Sequence, residues 1–181
     1  PKAELDYAFI KDIIGEKLLA ICSLYDRKYQ GGSMTQVPNK GPTDFAVKAL
    51  LVNLEDHGFT GDCLLLVDPE PSLLALIRKV ASKRLGRTII RKTPKTSKGS
   101  LGGVERLHET GKGLIRVFIS GVRRQYCVEV PITSPLIPWS VERAGFVFTR
   151  YNVGPDGQTP FRRLHGHNYI SQQAECGECV E

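Results

Sequence analysis

Residues 61–70, GDCLLLVDPE, constrain the fold more than any other part of the chain. Five apolar residues, Cys63 to Val67, run without interruption between a Gly-Asp pair and an Asp-Pro pair. A strand with one wet face alternates apolar and polar residues, so an unbroken run needs cover on both faces. The turn residues at each end leave it too short for a helix. A strand covered on both faces implies helices on both sides of a sheet, hence an α/β domain. The chain's 181 residues suffice for one such domain with a sizeable core.

The remaining elements follow from local pattern. ELDYAFI (4–10) and KLLAICSL (17–24) read as strands, and YDRKYQGG (25–32) as a hairpin turn into a third strand near 33–37. PNKGP (38–42) is a breaker. From Thr43-Asp44, the apolar residues Phe45, Val47, Ala49, Leu50, Leu51 and Leu54 recur at helical spacing and stop at Gly58. PSLLALIRKVASKRL predicts a second helix ending near Gly86, and residues 88–90 a short strand. Residues 91–103 have no apolar period and read as a mobile basic loop. A long helix is expected from Val104 to about Tyr126, weakened by Gly111, Gly113 and Gly121 inside it. Another runs from Pro138 to about Tyr151 with the proline at its start. The tail from His165 is polar, and no repeat or low-complexity tract interrupts the order.

Charge is unevenly spread. The net charge is +6, but residues 78–124 hold fourteen Lys and Arg against two acids, Glu105 and Glu109. Such a block is either a solvated positive face or the footprint of a polyanion. Apolar runs never exceed five residues, so no membrane span is expected. The N-terminus has no apolar signal segment, so the chain is not expected to be secreted. Cys22 and Cys63 lie in apolar runs and read as small core residues suited to a reducing compartment. The sequence begins at Pro1, which fits a piece of something longer.

Three acids stand out by position. Asp6 lies in mid-strand, where Asp is disfavoured. Asp68 ends the buried strand, where α/β folds place ligands. Glu105 opens the long helix just after the basic loop. Brought together, three carboxylates repel and raise one another's pKa, a penalty that a divalent cation reverses. Oxygen ligands favour Mg²⁺ or Mn²⁺, and two such ions serve phosphoryl displacement. Each acid also has an ordinary explanation: Asp6 on a wet sheet edge, Asp68 as a helix N-cap, Glu105 at the positive end of its helix.

The surroundings of these acids resemble the catalytic core of retroelement integrases, most closely those of copia-like long-terminal-repeat retrotransposons. LDYAFIKD, VPNKGPTDFAVKALL, LLLVDPEPSLLAL and TPKTSKGSLGGVERLHE carry the resemblance, with PWSVERAGFVFTRYNVGPDGQTPFRRLHGHNY towards the C-terminus. The resemblance implies a ribonuclease-H-like fold, a five-stranded mixed sheet flanked by helices. It implies a Mg²⁺-dependent (or Mn²⁺-dependent) polynucleotidyl transferase that trims the 3′ ends of element DNA and inserts them into target DNA. Asp6, Asp68 and Glu105 would be the catalytic residues and metal ligands, with Asp6 bridging two ions. No covalent enzyme intermediate is implied. DNA and further copies of the chain are the implied partners, and the nucleus or the element's virus-like particle the implied location. The catalytic core would cover residues 1–170, and residues 171–181 would be a polar tail leading to a C-terminal module.

On the helix after Glu105, positions 105, 108, 109, 112 and 116 fall on or near one face. His108, Lys112 and Arg116 there, with Lys95 and Lys98 in the loop, are the candidate DNA contacts. Gly99, Gly102 and Gly103 are read as giving that loop its mobility. Pro69 departs from the family pattern, where Gly, Asn or Gln is more usual. His165, His167, Cys176 and Cys179 are too irregularly spaced for the usual zinc finger. Two other readings fit the same residues: a catalytically decayed DNA-binding relic, or a cut-and-paste transposase or ribonuclease H of the same fold.

Overall fold

A computed structural model describes residues 1–11, 18–94 and 100–171. Strands β1 (Lys2–Lys11), β2 (Leu18–Asp26), β3 (Gly32–Val37), β4 (Cys63–Val67) and β5 (Thr88–Lys92) form one sheet in the order β3-β2-β1-β4-β5. The β1–β2 and β2–β3 pairs are antiparallel, and β1–β4 and β4–β5 are parallel. The expected five-stranded mixed sheet is therefore present. The turn between β2 and β3 is built by Asp26, whose carboxylate accepts the N–H groups of Lys28 and Tyr29 at 2.9 and 3.3 Å.

Helices α1 (Asp44–Asp56) and α2 (Pro71–Lys83) cover one face, and α3 (Gly102–Tyr126) and α4 (Leu136–Tyr151) the other. Side chains alternate accordingly. Ala3, Leu5, Tyr7, Leu65 and Val67 pack with Val47, Leu50, Leu73 and Ile77. Ala8, Ile21, Met34 and Leu66 pack with Leu107, Ile115, Val141 and Phe148. The CLLLV strand is buried on both faces, as its unbroken apolar run predicts.

Two local expectations need correction. Helix α3 is unbroken over 25 residues despite its glycines. Helix α4 starts at Leu136, so Pro138 sits inside the first turn, where its missing N–H has no intrahelical acceptor to lose. A short helix, α5 (Pro160–His165), follows α4. Thr159 caps it by accepting the Arg162 N–H at 3.2 Å.

Basic residues are not uniformly solvated. Arg84 donates to the carbonyls of Phe59 and Gly61 and to Thr88 Oγ1, clamping the ends of β4 and β5. Lys79 pairs with Asp44, and Arg123 with Glu129. None of the described helices is long and apolar enough to cross a membrane.

Candidate active site

Strand β1 lies at the centre of the sheet, so Asp6 is not on a wet edge. The last β1–β4 rung joins Leu5 to Val67. Asp6 and Asp68 are the next residues on the two strands. By strand alternation both side chains leave the sheet on the α3 face, with Glu4, Ala8, Leu64 and Leu66. Asp68 does not cap α2. Glu70 holds that position, without a side-chain bond to the helix. Glu105 is exposed on the first turn of α3, its N–H bonded to Leu101 O at 3.0 Å.

Asp6 registers the company of the other acids. Burial pushes its carboxyl up to about 6, and Asp68, Glu70 and Glu105 each push the same way. Only the adjacent Tyr7 N–H, donated to Asp6 at 2.8 Å, opposes them. The donor set is all oxygen, and its central carboxyl is disfavoured as an anion by its acid neighbours. That is the setting which a hard divalent cation relieves. As they stand, among the described residues, no three His, Cys, Asp or Glu side chains are close enough to hold a metal ion. The acids share one electrostatic field without forming a closed ligand cluster. Mutual repulsion favours that spacing, with Glu105 turned to water.

Glu70 and Lys40 escaped the sequence reading. Lys40 Nζ contacts both Glu70 carboxylate oxygens, at 2.7 and 2.8 Å, and lies 4.6 Å from the centre of the Phe9 ring. Burial raises the Glu70 carboxyl, but Lys40 and Ser72 outweigh it and hold it below the usual carboxylate range. The Lys in a turn between prolines was the only available signal. Cys22 lies behind Asp6, its thiol pushed up to about 12 by burial and then by Asp6. It is no thiolate nucleophile at neutral pH.

Lys112 is half-buried and Arg116 exposed. With Phe9, Ile10, Lys11 and Ile115 they line a cleft of about 470 Å³ between α3 and the end of β1. His108 is placed differently from the solvated cation its spacing suggests. It belongs to the buried stripe of Val104, Gly111 and Ile115, and burial, then Lys112, lowers its ring to about 4. It is neutral at physiological pH, and its Nε2 is buried without a partner. Gly102 and Gly103, read as loop residues, are the first two residues of α3. Lys95, Lys98, Gly99, Cys176 and Cys179 lie outside the described residues. His165 lies tilted against Phe161 and His167 meets it edge-on, with ring centres 4.3 and 5.5 Å away.

No family model and no curated protein matches the sequence. Solved structures do. The chain is similar to the HTLV-2 integrase catalytic core domain in complex with magnesium, with 15% identity and a TM-score of 0.63 over 91% of this chain and 95% of that one. It is similar to the catalytic core domain of BIV integrase, with 16% identity and a TM-score of 0.62 over 90% and 92%. A chain of a simian T-cell lymphotropic virus intasome gives a TM-score of 0.69 at 15% identity, covering 99% of this chain and 59% of that one. At these identities the likeness shows the fold. The chain has the ribonuclease-H-like fold of integrase catalytic cores.

Proposed function

We propose that the chain is the catalytic core of a retroelement integrase, a Mg²⁺- or Mn²⁺-dependent polynucleotidyl transferase. The copia-like sequence motifs point to a long-terminal-repeat retrotransposon as its source. The observation that carries the reading is the placing of Asp6 and Asp68 side by side on neighbouring central strands, each following the Leu5–Val67 rung, and the raised Asp6 carboxyl supports it. Carboxyls perturbed by burial and by like charges gather at functional sites.

Asp6, Asp68 and Glu105 would hold the metal. Two divalent ions bound there would supply activation of the attacking oxygen and stabilisation of the leaving one. Asp6, in the middle of β1, and Asp68, just past the end of β4, would hold the ions against which a phosphodiester would be placed. Glu105 closes the site from α3. Lys112, two helical turns further on, and Arg116 neutralise DNA phosphates along the helix. Lys95 and Lys98 would extend that contact. His108 would act as a neutral wall behind it. Element DNA ends and target DNA are the proposed substrates. Further copies of the chain are the proposed partners, as in the dimeric and trimeric forms described for the HTLV-2 core. The nucleus or virus-like particle is the proposed place of action, and residues 1–170 are the proposed catalytic unit.

The test is strand transfer, or its reversal on a branched substrate, with Mn²⁺. Asp68→Asn should abolish it, and undiminished activity in that variant contradicts the proposal. The open spacing of the acids favours one second reading, a DNA-binding relic. Salt-sensitive DNA binding without stabilisation by Mn²⁺ would support it.

A further inference from the structure

Glu4 takes no part in the proposed chemistry, yet it is 0% exposed on the central strand. A carboxylate withdrawn from water destabilises a fold unless it is compensated. Glu4 has two partners. Its Oε1 accepts from the Arg27 guanidinium. Its Oε2 accepts the backbone N–H of Val104 at 2.9 Å, from 100 residues further along the chain. Val104 is the third residue of α3, and its amide is among those a helix start leaves unpaired. Leu101, at the cap position, supplies no side-chain bond. Glu4 therefore caps α3 from another element, with its negative charge at the positive end of the helix.

This cap lies one step from the site on both sides. Glu4 and Asp6 are two residues apart on β1, so they leave the same face. Val104 and Glu105 are adjacent on α3. One hydrogen bond thus ties the strand that carries the first acid to the helix that carries the third. Gly103 makes the approach possible. A Cβ there would lie 2.2 Å from Tyr25 Cε1 and 2.9 Å from Glu4 Oε2.

We infer that Glu4 is a positioning residue: its carboxylate fixes the start of α3 against β1 and so sets Glu105 relative to Asp6 and Asp68. The inference rests on the proposed reading of those three acids as one metal site. What the role needs is a hydrogen-bond acceptor at Oε2. Glutamine keeps an acceptor for Val104 but loses the charge and the Arg27 bond, leaving the 38% exposed Arg27 to water, whereas alanine loses both acceptors.

The experiment uses the 181-residue chain as wild type, Glu4→Gln, Glu4→Ala and Asp68→Asn. It measures Val104 amide exchange, the Mn²⁺ concentration at half-maximal thermal stabilisation, and single-turnover strand transfer with DNA affinity measured separately. In Glu4→Ala, Val104 should exchange faster, and the Mn²⁺ midpoint should rise roughly tenfold or more, with a matching loss of rate. DNA affinity should hold. Glu4→Gln should stay within about threefold of wild type. A wild-type midpoint in Glu4→Ala, or equal loss in Glu4→Gln, overturns the inference. If Asp68→Asn also changes neither midpoint nor rate, the metal-site reading has failed and the inference falls with it. If Asp68→Asn abolishes both and Glu4→Ala neither, the inference alone has failed. Should Glu4→Ala not fold, Gly103→Ala presses a methyl between the same groups with Glu4 intact. A raised midpoint there supports the inference, and an unchanged one overturns it.

Discussion

Asp6 and Asp68 each follow directly on the last paired residue of two parallel strands, Leu5 of β1 and Val67 of β4. Neighbouring strands run about 4.8 Å apart, so the two acids sit side by side, Asp6 in the middle of β1 and Asp68 just past the end of β4. Their repulsion adds to burial in raising the Asp6 carboxyl to about 6.

Replacing Asp6 should therefore stabilise the protein while removing its activity. The Asp6 carboxyl ordinarily titrates near 3.8 and is raised to about 6 in the fold. The native state thus holds this proton more tightly than the unfolded chain does. That contribution to stability is fully present below pH 4 and is lost as pH rises through about 6. Asp6→Asn cannot ionise and escapes the loss. Its Tm should exceed the wild-type value at pH 7.5, by about 2–4 °C per kcal/mol relieved, and match it near pH 4. Thermal unfolding at the two pH values checks this.

His108 acts in the opposite direction. Its ring is lowered to about 4, against an ordinary 6.5, chiefly by burial. Below pH 6.5 the unfolded chain gains a proton that the folded ring refuses. Stability present above pH 6.5 is then lost as pH falls towards 4. His108→Leu puts an apolar side chain in the stripe and removes the buried, unpartnered Nε2. It should flatten the acid side of the stability profile and leave the neutral side near wild type, as read by denaturant midpoints from pH 4 to 8.

The strands behind Asp6 and Asp68 were legible in the sequence, because apolar runs and turn residues act locally. Asp6 stood out as an acid inside one apolar run and Asp68 as the acid that ends another. The Glu4–Val104 bond was not, since its partners are 100 residues apart and only a lone Glu at the head of an apolar strand hinted at it. His108 misled because the face drawn through positions 105 to 116 is wide. One edge of that arc belongs to the buried stripe of Val104, Gly111 and Ile115. The glycines of α3 look like weaknesses in isolation. Gly111 is instead a contact, for a Cβ there would meet Met34 Sδ at 2.3 Å. Long-range packing of that kind leaves no local trace.

The helical glycines should accordingly differ in their response to alanine. At Gly145 a Cβ would meet the backbone nitrogen of Met34 at 2.8 Å, which cannot swing aside. Gly145→Ala should cost about 1–3 kcal/mol through overpacking of α4 on β3. Gly113 and Gly121 face open space. Alanine at either should stabilise α3 by up to about 1 kcal/mol. Urea unfolding of the three variants gives the comparison.

The most direct test of the central claim is the anomalous diffraction of Mn²⁺ in crystals of the chain. The account expects a peak bonded to the carboxylates of both Asp6 and Asp68, at roughly the 2.1 Å of a small hard cation, with Glu105 on the same ion or its neighbour. Saturating Mn²⁺ that leaves no peak between Asp6 and Asp68, or binds only elsewhere, would contradict it.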